Sequence, residues 1–250
     1  QDTRLHHRPL WIGAKLMVND HILRTYDEEL TNLQILTTKM GNECCDMIRQ
    51  AVASVIDNDK AIAQQVIKRD KMVNAVNAEI AIQSQNVIAL RSPMANDLRL
   101  ILTTYQNSLN LERTGDLAKN IAKIVAKNDL VFDHKVRGHL ETLSEAVLQN
   151  LTDVITAFNE MDTKKAGAIY DADRFIDDQH DSFSATLMTN LKAEDASIET
   201  MMHLLFVSRH LERIGDHAKN IAEATIYAAT GEMNQFDELE DQNFEELSTL

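Results

Sequence analysis

From His21 to about Asp57, the apolar residues Ile22, Leu23, Leu30, Leu33, Leu36, Met40, Cys44, Met47, Ile48, Val52 and Val55 recur at steps of three and four. That is the period of an amphipathic helix. Asn58 and Asp59 interrupt the pattern with side chains suited to capping a second helix. This helix runs to about Arg91 through Ile62, Val66, Val73, Val76, Ile80 and Val87. Ser92-Pro93 predicts the start of a third helix, a hydroxyl N-cap followed by proline at the first helical position, and the pattern continues to about Asn128. A fourth helix is predicted from about Lys135 to Met161, a fifth from about Thr163 to Lys192, and a sixth from about Asp195 to Thr230, stopped by Gly231. Two prolines and seven glycines in 250 residues are too few for the frequent tight turns of a β-rich chain.

The six helices fall into two sets of three. Residues 111–122 read LERTGDLAKNIA and residues 211–222 read LERIGDHAKNIA, identical at 10 of 12 positions at an offset of 100. A repeat of that length marks duplication of a whole supersecondary unit. The predicted fold class is therefore all-α, a tandem repeat of two three-helix bundles. Residues 17–128 form the first bundle and 129–231 the second. Residues 1–16 lack clear periodicity and read as an extension or remnant ahead of a natural start at Met17. Residues 232–250 carry seven acids and no base, an acidic C-terminal tail.

Charge narrows the function classes. The net charge of −14 repels phosphate backbones at long range, and no local basic patch offsets it, so nucleic-acid binding is not expected. No apolar run approaches the roughly 20 residues needed to cross a bilayer, and the N-terminus lacks a signal-peptide layout. A cytoplasmic location is expected. The two cysteines, Cys44 and Cys45, are adjacent in a helical pattern, where neighbours do not close an ordinary disulfide. They read as small core residues in a reducing compartment.

The repeated motif carries the candidate chemistry. With about 100° per residue, Asp116 lies about 40° from Glu112 around the helix, beside a stripe that includes Gly115 and Ala118. Small residues let a neighbouring helix approach closely, which aims both acids at the edge of a helix seam. Carboxylates one turn apart have Cβ atoms roughly 6 Å apart, near enough to share a hard cation. Glu212 and Asp216 repeat the pair. On the second helix of each unit, Asp173 and Asp177 stand at the same spacing, as do Asp70 and Asn74. Asn74 keeps an oxygen but drops a charge, so the first site should hold cations more weakly. The alternative is salt-bridged packing, because Arg113 and Lys119 lie within helical reach of these acids. Spacing alone leaves both open.

Histidines do not complete a ferritin-like set, which needs Glu-x-x-His pairs on facing helices. His203, His210 and His217 are spaced by seven and line one helix face. No phosphate loop, thiolate zinc set or nucleophile elbow is present, so no enzyme is expected. Two alternatives stay open: a metal-dependent helical-bundle oxidase of ferritin-like type, and a structural helical adaptor.

The doubled LERxGD motif, together with Ser92-Pro93-Met94-Ala95-Asn96-Asp97-Leu98-Arg99, the second-helix acids and the Met40-Gly41 step, resembles the PhoU family of phosphate-uptake regulators over about residues 20–231. The resemblance implies two three-helix bundles about a pseudo-twofold axis, assembling as a homodimer. It implies metal sites, with Fe, Mn, Mg or Zn as candidate ions, at Glu112, Asp116, Glu212, Asp216, Asp173, Asp177, Asp70 and Asn74. Arg113, Asn120, Arg213 and Asn220 match as orienting groups. It further implies a cytoplasmic negative regulator of phosphate-starvation signalling, in contact with the ATPase subunit of a phosphate ABC transporter and a phosphate sensor histidine kinase. The membrane would be met only through those partners.

Overall fold

The computed structural model describes residues 11–191 and 197–232. Among these residues there are six helices and no strand: α1 (Trp11–Asp57), α2 (Lys60–Arg91), α3 (Ala95–Lys127), α4 (His134–Glu160), α5 (Thr163–Asn190) and α6 (Ile198–Thr230). Lys192 and Asp195, the expected limits of the last two helices, lie outside the described residues, as does the acidic tail from residue 233 onward.

Both bundles turn their first corner with the same chemistry. Asn58 and Met161 take left-handed backbone, with φ of 52° at each. The aspartate that follows then caps the next helix. Asp59 accepts hydrogen bonds from the Ala61 and Ile62 amides at 2.8 and 3.0 Å, and Asp162 accepts from those of Lys164 and Lys165, both at 3.0 Å. Gly231 ends α6 as expected, at φ 78°, with its amide bonded to the Tyr227 carbonyl.

Two expectations are corrected. Ser92 closes α2 rather than opening α3: it sits at φ 50°, ψ 57°, and its amide bonds to the Ile88 carbonyl. A residue before proline is disfavoured in the right-handed helical region, so the chain leaves the helix one residue early. Met94 then precedes α3 without a side-chain cap. The second correction is that α1 starts at Trp11, upstream of the expected start at His21.

The first bundle buries most of the residues that the periodicity marked, and the second has a matching apolar core. Leu33, Met40, Cys44, Met47, Ile48, Val66, Val73 and Ile80 are buried in the first, and Leu143, Val147, Leu151, Phe158, Ile176 and Phe183 in the second. The bundles meet through equivalent helices, α1 against α4 and α3 against α6. Residue numbers rise on α1 as they fall on α4. Thr38 reaches Asn159 at 3.5 Å and Cys45 reaches Thr152 at 3.8 Å. The α3–α6 contact is antiparallel too, through Thr103 to the Ala224 carbonyl and Asn110 to His217. Antiparallel contacts between like helices are what a pseudo-twofold axis between duplicated bundles requires. Near the axis, a Cβ on Gly41 would stand 2.5 Å from Ile155 Cδ1, so α1 and α4 approach closely where a side chain is missing. The vicinal cysteines belong to this interior. The Cys44 thiol donates to the Leu111 carbonyl, and burial pushes both thiols up, away from the reactive thiolate.

Candidate functional site

Within each bundle the third helix lays its LERxGD motif across the second helix. The glycine makes this possible: a Cβ on Gly115 would lie 3.1 Å from Val73 Cγ1, and one on Gly215 would lie 3.0 Å from Asp173 Oδ1. The expected seam is therefore real, and the motif acids stand along its edge opposite Asp70 and Asp173, each only 6% exposed. The caps Asp59 and Asp162 fall 103 residues apart, and so do Asp70 and Asp173; this offset matches the positions of α2 with those of α5.

In the first unit the acids are held by a protein cation. Lys119 Nζ donates to Asp70 Oδ2 at 2.9 Å and also to Asp116 Oδ1. Asn74 Nδ2 donates to the same Asp70 Oδ2 at 3.2 Å. Burial pulls the Asp116 carboxyl up, but the hydrogen bond and charge of Lys119 outweigh it, and the carboxyl ends below its ordinary value. The same contacts overcome burial at Lys119 and hold its ammonium above the usual lysine value. Glu112 is the exception. Burial and then the Asp116 charge push it up, with the exposed Arg113 guanidinium 3.7 Å away as a weak partner.

In the second unit, α5 and α6 line a groove of about 590 Å³. Asp173, Asp177, Glu212 and Asp216 all face it, joined by Asp171, Asp181, His180 and Tyr170. Burial pushes the Asp177 carboxyl up, followed by the charges of Asp216 and Glu212, with Lys219 and His180 opposing. His180 is fixed by its Nδ1 against Ser208 Oγ at 2.7 Å, and its Nε2 lies 3.8 Å from Glu212 Oε2. Tyr170 donates to Glu223 at 2.7 Å, and the Lys219 ammonium sits 5.3 Å from its ring centroid. The sequence does carry a signal for His180, since it follows Asp177 by three residues and shares its helix face. Asp181, four residues after Asp177, and Tyr170, three before Asp173, share that face by the same spacing.

Of the expected orienting groups, Arg113 and Arg213 are exposed. Asn120 accepts from Lys123 at 3.5 Å, and Asn220 is exposed. Neither Arg213 nor Asn220 lines the groove. His217 lies in the α3–α6 seam against Asn110 Oδ1 at 3.0 Å, and burial lowers its pKa. Among the described residues no three His, Cys, Asp or Glu side chains already converge on a point that could hold a metal ion. The second groove has the donor chemistry for one, namely four carboxylates and an imidazole, with more negative charge than local bases balance. The first unit does not fit, because Lys119 already stands between its two acids.

The PhoU domain family matches residues 37–125 and 140–225, one match per bundle. The phosphate-specific transport system accessory protein PhoU homolog of Rhizobium meliloti is 36% identical over 88% of this chain and 93% of its own length. The Escherichia coli protein of the same name, without the homolog qualifier, is 31% identical over 87% and 90%. Crystal structures of PhoU from Streptococcus pneumoniae and Pseudomonas aeruginosa each superpose with a TM-score of 0.77, at 26% and 28% identity. They cover 84% and 83% of this chain and 100% of their own. The chain thus belongs to the PhoU family.

Proposed function

We propose that this protein is a cytoplasmic regulator of phosphate uptake whose second bundle binds a divalent metal ion. The accessory role in phosphate transport rests on the family, and no helix among the described residues is long and apolar enough to cross a membrane. As a member of that family it restrains phosphate-starvation signalling through the transporter's ATPase subunit and a sensor histidine kinase, acting as a homodimer and catalysing no reaction. The observation that carries the metal reading is the groove between α5 and α6, where Asp173, Asp177, Glu212 and Asp216 face one space. Oxygen donors with one imidazole suit Mn(II) or Fe(II) better than thiolate-seeking ions. The acids of this chain would hold the ion, and the ion would relieve the repulsion from Asp216 and Glu212 that adds to burial in raising Asp177.

Two measurements test this reading. Metal-stripped full-length protein is titrated with Mn(II), beside Asp177→Asn/Asp216→Asn. Binding by the native chain and its loss in the variant are expected; no binding by either removes the metal reading. Deleting the gene is expected to raise phosphate-scavenging expression in high phosphate. Unchanged expression removes the regulatory reading and leaves the metal result standing.

A further inference from the structure

We propose that His180 is a nitrogen ligand of the second groove, binding the metal ion through Nε2 beside Asp177 and Glu212 and biasing the site toward transition ions. The inference rests on the metal reading of that groove and adds to it a ligand from outside the repeated acid motif.

Three observations carry it. His180 follows Asp177 by three residues on α5, the spacing that places a carboxylate and an imidazole on one helix face within reach of one ion. Both line the groove, as does Glu212 from α6. Next, the ring is already tethered. Its Nδ1 lies 2.7 Å from Oγ of Ser208, a buried residue of α6. A metal-bound imidazole commonly donates its second N–H to an oxygen, which fixes the ring's orientation and tautomer. Ser208 Oγ stands where that acceptor is needed. Finally, Nε2 faces Glu212 Oε2 at 3.8 Å, beyond a hydrogen bond. Two donors each about 2.1 Å from one ion stand about 3.0–3.5 Å apart, so a small side-chain rotation closes the pair on a cation.

The first unit shows what the imidazole adds. The matched residue there is Asn77, whose Oδ1 accepts from Ser108 Oγ at 2.8 Å, so the same contact to the third helix is made. With that oxygen engaged, the remaining amide nitrogen is a donor only and does not bind a cation. With Nδ1 engaged, the imidazole still has a second nitrogen that can. Asp173 and Lys219 have interactions of their own and are not among the three donors. An imidazole beside carboxylates favours transition ions over Mg(II) and Ca(II), which take oxygen donors.

Metal-stripped full-length protein is titrated with Mn(II) and with Mg(II), and the Mn(II) form is studied by pulsed EPR. The native chain should show the coupling of one imidazole nitrogen to Mn(II). The variant His180→Asn recreates the asparagine–serine pairing of the first unit and should fold. It should lose the coupling and bind Mn(II) about tenfold more weakly, with Mg(II) binding unchanged. Ser208→Ala should weaken Mn(II) binding about tenfold and keep the coupling. A Mn(II) form without nitrogen coupling, a coupling that survives His180→Asn, or an equal fall in Mg(II) affinity overturns the role of His180 and leaves the metal reading standing. No Mn(II) binding by the native chain overturns both.

Discussion

The two bundles share a fold, a corner and a twelve-residue motif, yet their acid seams are in different electrostatic states. In the first, one lysine bridges the seam and an asparagine donates to the same carboxylate oxygen. In the second, six carboxylates line a groove with one arginine and one lysine. The motif supplies Glu, Asp and Lys equally to both. What separates them is the outer helix, α2 against α5, where Lys68, Asn74 and Ala78 stand at the positions that Asp171, Asp177 and Asp181 occupy in the second unit. Duplication copies a scaffold; a few substitutions on a neighbouring element then set how much negative charge lines its seam.

The largest expected effect lies at the seam glycines. Gly215→Val should destabilise by about 3 kcal/mol, since even its Cβ meets Asp173 Oδ1 at 3.0 Å and Ile176 at 3.3 Å. Gly115→Val should destabilise comparably, against Val73. The difference between them is in binding: only the Gly215 variant displaces an acid of the second groove, so only it should weaken Mn(II) affinity. Denaturant unfolding and Mn(II) titration of both variants check this, and equal Mn(II) affinities would break the comparison.

A smaller and opposite effect is expected at Asp177. In chelator, Asp177→Asn should stabilise the protein by about 0.5 kcal/mol, a modest figure because solvent screens this partly exposed groove. The substitution Asn74→Asp should do the reverse in the first unit, removing an amide donor and adding a negative charge beside Asp70. Thermal melts of the pair read the sign directly.

The smallest effect is in pH dependence, and the two seams should differ in sign. The folded Asp177 carboxyl lies above its ordinary 3.8, so the native state holds that proton more tightly than the unfolded chain. Its contribution is present below 3.8 and is lost as pH rises through the folded value. Asp116 lies below its ordinary 3.8, so its contribution is present above that value and is lost as pH falls through the folded one. In chelator, Asp177→Asn should flatten the decline on the alkaline side of 3.8, and Asp116→Asn the decline on the acid side. Identical profiles for both variants would contradict the contrast between the seams.

Much of this architecture is legible in the chain. The three- and four-residue apolar spacing locates all six helices, because burial of one face needs that period wherever the helix packs. The repeat identifies the duplication, and Gly115 beside Glu112 and Asp116 points to a close helix seam. Ser92 is ambiguous in sequence because a hydroxyl before proline suits either the end of one helix or the start of the next; the left-handed turn that decides between them is a backbone choice. His180 and Tyr170 share a helix face with Asp173 and Asp177 in the sequence, but which face of α5 meets α6 is decided only in the fold.

The sequence by itself determined the fold class, the duplication and the identity of the acids, since periodicity and repetition are local properties of the chain. Only the tertiary structure decided which acids are already neutralised. Lys119 stands 49 residues from Asp70 along the chain, and spacing on one helix ranks its Asp116 contact without revealing the second. Whether a charge is paired depends on three-dimensional distance and burial, and both are set when α2 and α3 close over the glycine between them.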